Sequence, residues 1–75
     1  MTKEETLRQA LTAREEEVLH YQINIDNYER AIVKAEQDPD LADFAIRLEE
    51  LLSSSRLEQK KAKIMLDVIR EQLED

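Results

Sequence analysis

The chain has 75 residues, a net charge of −7, and neither cysteine nor glycine. So short a chain is expected to form one small domain with little core, and without cysteine it has no disulfide or cysteine metal site to stabilise it. Phosphate-binding loops and nucleophile elbows use glycine where φ is positive, so their usual scaffolding is absent. We therefore expect neither an enzyme nor a cofactor, and we expect the chain to associate with a second copy.

The first predicted helix covers residues 3–36, with Thr2 as its cap and Glu5 completing a capping box. Its apolar residues follow alternating steps of four and three, with one interruption at Arg14. Such a seam over about four heptads is typical of a coiled coil. The apolar seam positions are Leu7, Leu11, Val18, Tyr21, Ile25, Tyr28, Ile32 and Ala35.

The tripeptide Asp38-Pro39-Asp40 is the one stretch that argues against a helix. Pro39 disfavours helical geometry at Asp38, and its ring suits the first turn of a new helix. Asp38 is a natural cap for the helix that follows, and Asp40 lies close to that helix's positive end. We predict a turn at residues 37–40 between two antiparallel helices. A single helix kinked at the proline is the competing interpretation.

The second predicted helix covers residues 41–74 and has a wider apolar face than the first, which suits contact with more than one neighbouring helix. This face consists of Leu41, Phe44, Ala45, Leu48, Leu51, Leu52, Ala62, Met65, Leu66, Ile69 and Leu73. Ser55 and Glu58 form another possible capping box, which would break the helix at Ser53-Ser54-Ser55 and give a three-helix bundle. Because the apolar stripe stays in phase across the serines, we predict a continuous helix.

Folding at the proline brings together residues whose numbers add to about 77. This register places Glu15–Glu17 beside Lys60, Lys61 and Lys63, and it places the bulky Tyr21 beside the small Ser55. A polar zone at or beside the seam is predicted to fix register and oligomeric state at some cost in stability. Its members are Arg14, Ser55, Glu58 and Gln59. Arg14 and Glu58 are expected to meet within or across subunits.

Residues that could carry chemistry are sparse. Glu17 and His20 form a Glu-x-x-His step like that of di-iron four-helix proteins, and Glu58 could stand for further carboxylates. Val18 and Tyr21 occupy the seam, so Glu17 and His20 lie beside it. We therefore interpret them as a solvated glutamate and a surface histidine, and we predict no metal site. The row of serines has no histidine nearby, so no catalytic residue is predicted. Lys60, Lys61 and Lys63 with Arg56 form the one basic patch, which is expected to pair with acids rather than bind nucleic acid.

The sequence thus predicts an all-α fold, a single helical-hairpin domain over residues 1–75 that dimerises into a four-helix bundle. The acidic turn Asp38-Pro39-Asp40 and the two heptad halves resemble the Rop family of plasmid copy-number regulators, which are short helical hairpins that dimerise into such bundles. The resemblance implies the architecture only. The RNA-binding role of that family is not carried over, because the first helix has no clear basic face.

For function, we predict a small acidic regulatory or adaptor protein of the cytoplasm, non-enzymatic and homodimeric, of the kind common among phage and plasmid accessory proteins. It would bind an unidentified protein partner, with no direct contact to nucleic acid or membrane. Six off-seam apolar residues form the predicted contact surface: Leu19, Ile23, Val33, Leu57, Ile64 and Val68. The first three could instead be scattered exposed residues. The alternative function is an acidic mimic of nucleic acid that inhibits a DNA- or RNA-binding protein.

Overall fold

A computed structural model describes residues 2–75 as two long helices joined by a short turn. Helix α1 spans Lys3–Ala35 and helix α2 spans Ala42–Glu74, each 33 residues long. The helices pack against each other in a rod whose extents are 56 × 15 × 15 Å. The predicted all-α helical hairpin is therefore confirmed, and the single kinked helix is wrong.

The turn between the helices is organised by Asp38. One Asp38 carboxylate oxygen accepts a hydrogen bond of 2.9 Å from the Asp40 N–H, and its carbonyl oxygen accepts one of 3.0 Å from the Leu41 N–H. These bonds close a single turn of 3-10 helix over Pro39–Leu41, with the proline at its start. Helix α2 begins only at Ala42 and has no side-chain cap of its own. Asp38 is thus a cap, as predicted, but it caps the 3-10 turn and not α2 directly.

Helix α1 is capped by Thr2 and turns its predicted seam toward α2. The Thr2 hydroxyl oxygen accepts a hydrogen bond of 3.1 Å from the Glu5 N–H, which satisfies one of the free donors of the first turn. Ile25, Ile32 and Ala35 are buried, and the remaining seam positions are half-buried, Arg14 included. The heptad pattern therefore identified the packed face of this helix correctly.

Helix α2 runs without a break through the three serines, so the three-helix bundle is wrong. Its buried positions follow the stripe that stays in phase across the serines, with Ser55 half-buried among them, whereas Leu41, Phe44 and Met65 of the wider predicted apolar face are exposed. The buried positions are Ala45, Leu48, Leu52, Gln59, Ala62, Leu66 and Ile69.

The best-packed part of the rod lies next to the turn. One cluster joins buried residues of both helices, with Tyr28 and Ala31 packed against it. The cluster comprises Ile25, Ile32, Ala35, Ala45, Leu48 and Leu52. Toward the chain ends Leu66 and Ile69 are still buried, but Leu7, Leu11 and Leu73 are only half-buried. Apolar burial is the main stabilising term in such a fold, so the hairpin is held most firmly at its closed end.

Three side-chain interactions cross between the helices and report their alignment. Gln59 donates from Nε2 to the Val18 carbonyl oxygen at 3.2 Å and to the Gln22 side-chain oxygen at 2.9 Å. Arg56 pairs with Glu29 at 2.9 Å. The two residue numbers in these pairs add to 77, 81 and 85. The two Gln59 contacts therefore lie within four of the expected sum of 77, and the long Arg56 and Glu29 side chains bridge an offset of eight.

The predicted pairing of Glu15–Glu17 with Lys60 and Lys61 is wrong, whereas Glu15 and Lys63 border the same groove without forming an ion pair. Glu17 instead pairs with Arg14 at 2.9 Å, and Lys61 pairs with Glu58 at 3.0 Å, each within its own helix. The physical reason is helical phase. Lys60 and Lys61 lie on the side of α2 that points away from α1, so they cannot reach across.

Candidate interaction surface

The four residues of the predicted polar zone differ from one another in burial and contacts. Gln59 is 8% exposed and is the buried polar residue that links the helices. Arg14 and Glu58 do not meet within the chain, because each pairs with a neighbour three residues away on its own helix. Ser55 is half-buried. In the described part of the chain every buried side-chain nitrogen or oxygen has a hydrogen-bond partner, so this zone leaves no orphaned polar atom.

The six off-seam apolar residues named in the predicted contact surface are all exposed, with 40–63% of each residue accessible. Ile23 and Val33 are exposed on α1, and Leu19 is exposed at the edge of a groove that Lys63 and Arg70 of α2 also line. Scattered exposed apolar residues are common on protein surfaces, so exposure alone assigns no role. Their arrangement along each helix carries more information.

On α2 the exposed apolar residues fall into two groups: Phe44 and Met65 on one flank, and Ile46, Leu57, Ile64 and Val68 on the outer side. Leu57 and Ile64 are seven residues apart on the line opposite the buried positions, and Ile46 and Val68 lie on the neighbouring lines to either side of it. We call these four residues the outer stripe. They lie opposite the buried face of α2. Ile46, 60% exposed, was missed by sequence reasoning, although its spacing to Leu57 could have revealed it.

One flank of the hairpin, between the packed face and the outer face, is polar and charged. Glu15 and Gln22 from α1 and Lys63 and Arg70 from α2 line one open groove along it, whose floor includes the apolar Val18, Leu19 and Leu66. Residues seven apart lie on the same side of a coiled-coil helix. Glu29 lies seven residues after Gln22 on α1, and Arg56 lies seven residues before Lys63 on α2, so the Arg56–Glu29 ion pair is on this side too. We call this side the charged flank. It is already bridged by an ion pair of the chain itself.

The opposite flank carries apolar residues on both sides of a polar centre. Phe44, Leu51 and Met65 fall on one seven-residue line of α2, and Ala10 and Ala31 fall on the matching line of α1. Lys3 and Gln72, the end members of these two lines, border the same cavity at the open end, which places both lines on one side of the rod.

We call these five residues the apolar flank. Phe44 is 51% exposed and Met65 44% exposed, whereas the two alanines are half-buried. Glu17, Asn24 and Glu58 occupy the centre of the same lines. Sequence reasoning found a wide apolar face on α2 but could not divide it into flanks, because that division depends on the register of the two helices.

The Glu-x-x-His step shows no arrangement suited to a metal. Across residues 2–75 no three or more His, Cys, Asp or Glu side chains come together as metal ligands would. His20 Nε2 lies 3.4 Å from the Asn24 side-chain nitrogen, and its ring meets that of Tyr21 edge-on at 6.1 Å.

Both described helices also fall short of the apolar length that crossing a bilayer requires.

No protein-family model matches the chain, and neither a curated protein nor a solved structure is significantly similar to it. The resemblance to the Rop family therefore rests on the hairpin architecture alone.

Proposed function

We propose that the protein is a non-enzymatic protein–protein interaction module that acts as a homodimer, with two hairpins forming a four-helix bundle. In this proposal it is a small regulatory or adaptor protein of the cytoplasm. The homodimer presents its outer faces to a second, different protein.

The observation that carries the proposal is the set of large apolar side chains left exposed on the outer faces. The outer stripe of α2 points away from α1, so packing within the hairpin does not explain it. A helix that presents apolar residues on more than one face is suited to more than one neighbour. Aligned aliphatic residues on a helix are also the usual anchors when a helix binds a partner groove.

The test is capture of partners with a surface variant and a matched control. The double variant Ile23→Asp with Ile64→Asp places one charge on each outer face and is expected to abolish capture of the partner from host lysate. Gln9→Asp with Ser54→Asp adds the same charge at exposed polar positions and is expected to retain it. Equal capture by both variants would show that the outer faces are not the binding surface.

A second candidate function follows from the charge. The chain carries a net charge of −7, and the turn end presents Glu36, Asp38, Asp40 and Asp43, all exposed, on the tip of a narrow rod. Such a rod could occupy the groove of a nuclease or DNA-binding factor as an acidic mimic. This candidate predicts a captured partner that high salt or added DNA displaces. The interaction module predicts one that both leave bound.

A further inference from the structure

We propose that the second copy of this chain binds the apolar flank, in an arrangement that places both turns at the same end of the bundle. The inference rests on the proposed homodimer. It specifies which surface the copies share and how they are oriented.

The exposed area of the chain matches what a dimer would cover. The chain exposes 5719 Å², whereas a compact monomer of 8.8 kDa exposes about 4,800 Å². The excess, about 900 Å², is close to the roughly 800 Å² that each partner buries in a stable protein–protein interface. A second copy is therefore an occupant of the right size.

The apolar flank is the surface best suited to meet a copy of itself. It continues directly from the core cluster, because Ala31 packs against that cluster. The charged flank is already bridged by Arg56 and Glu29. A dimer formed through the apolar flank would extend one continuous core across four helices, as bundles do.

Side-chain size selects the orientation. A two-fold axis parallel to the rod sets α2 of one copy beside α1 of the other with both turns at one end. Phe44 then lies level with the partner's Ala31, and Met65 with the partner's Ala10, so that large residues meet small ones. A two-fold axis across the rod instead sets Phe44 near the partner's Met65, and Ala10 near the partner's Ala31. That arrangement crowds one side of the interface and leaves the other underfilled.

The carboxylates at the centre of the apolar flank are compatible with this contact. Glu17 and Glu58 lie at the same level on the two helices, but each is already paired, with Arg14 and Lys61 respectively. Neutral ion pairs, and not bare carboxylates, would therefore meet at the centre. They cost some stability and fix the alignment of the copies.

Orientation is tested by a distance measurement. The chain has no cysteine, so Gln37→Cys in the exposed turn accepts a single spin label. With both turns at one end, helices about 8–10 Å apart place the two labels of a dimer within about 30 Å of each other. Turns at opposite ends would separate the labels by close to the 56 Å length of the rod. The longer distance overturns the proposed orientation and leaves the homodimer intact.

The interface is tested by sedimentation. Phe44→Glu with Met65→Glu is expected to weaken dimerisation at least 100-fold, because it removes two apolar contacts from each copy and places charges in the interface. Ile46→Glu with Ile64→Glu adds the same charge on the outer stripe and is expected to change the dissociation constant less than about threefold. Phe44→Ala with Met65→Ala, a milder pair expected to weaken the dimer at least tenfold, guards against a variant that fails to fold.

The outcomes separate the inference from the proposal on which it rests. A parent chain that stays monomeric at all concentrations refutes both. A dimer that the outer-stripe pair disrupts and the apolar-flank pairs leave intact refutes only the assignment of the interface.

Discussion

The buried amide of Gln59 offers the sharpest test of how the two helices are held in register. Its two hydrogen bonds to α1, at 3.2 and 2.9 Å, are each worth about 1 kcal/mol net. Gln59→Ala removes both, together with one buried methylene worth about 0.8 kcal/mol, so we expect the free energy of unfolding to fall by about 3 kcal/mol. Gln59→Leu keeps the volume and buries an apolar side chain instead. Its stability should therefore stay within about 1 kcal/mol of the parent.

The assay is urea unfolding followed by helical circular dichroism at one fixed protein concentration, which matters if the chain dimerises. With a slope of about 1 kcal/mol per molar urea, Gln59→Ala should lower the midpoint by on the order of 2–3 M. A double-mutant cycle with Gln22→Ala should give a coupling of about 1 kcal/mol, and Gln9→Ala, at an exposed position, should change little. A loss below about 0.5 kcal/mol for Gln59→Ala, or a coupling near zero, would refute the view that this amide joins the helices.

Three further predictions concern other parts of the rod. Glu58→Leu should raise the melting temperature and loosen oligomer specificity, because it replaces a charge beside the seam; a lower melting temperature with one unchanged oligomer would contradict this. Asp38→Ala should cost about 1 kcal/mol in a denaturant titration by removing the bond to Asp40, whereas Asp38→Asn should cost much less, and equal losses would argue against the cap. Leu48→Ala, in the cluster beside the turn, should lower the free energy of unfolding by about 3 kcal/mol, and Leu7→Ala at the open end by about 1 kcal/mol. A larger loss for Leu7→Ala in the same titration would show that the core is not beside the turn.

Much of the fold was predictable because it follows from local rules. Pro39 and its flanking aspartates located the turn, since proline restricts its neighbour and aspartate caps helical turns. The heptad steps located the packed face of each helix, and their unbroken phase located Ser55 on that face. These features depend on spacing along one helix, which the sequence states directly.

The interactions between the helices were harder to predict. Charge matching suggested pairs between Glu15–Glu17 and the lysines, but exposed ion pairs are too weak to set helical phase, and Lys61 points outward. The bond from Gln59 to a backbone carbonyl has no sequence pattern, because any residue supplies that acceptor. The division into a charged flank and an apolar flank also depends on register. The partner cannot be read from the sequence, since no residue pattern here is tied to a reaction or a ligand.

Both chain ends lie at one end of the rod, where Lys3 and Asp75 border the same cavity. A pulling force applied to the two ends would therefore separate the helices one layer of contacts at a time, starting at the open end. It would not slide the helices past each other. Leu7 and Leu73 would separate first, the bridge at Gln59 would resist partway, and the cluster beside the turn would yield last. The hairpin is thus mechanically weak along the one direction in which tension on its ends can act.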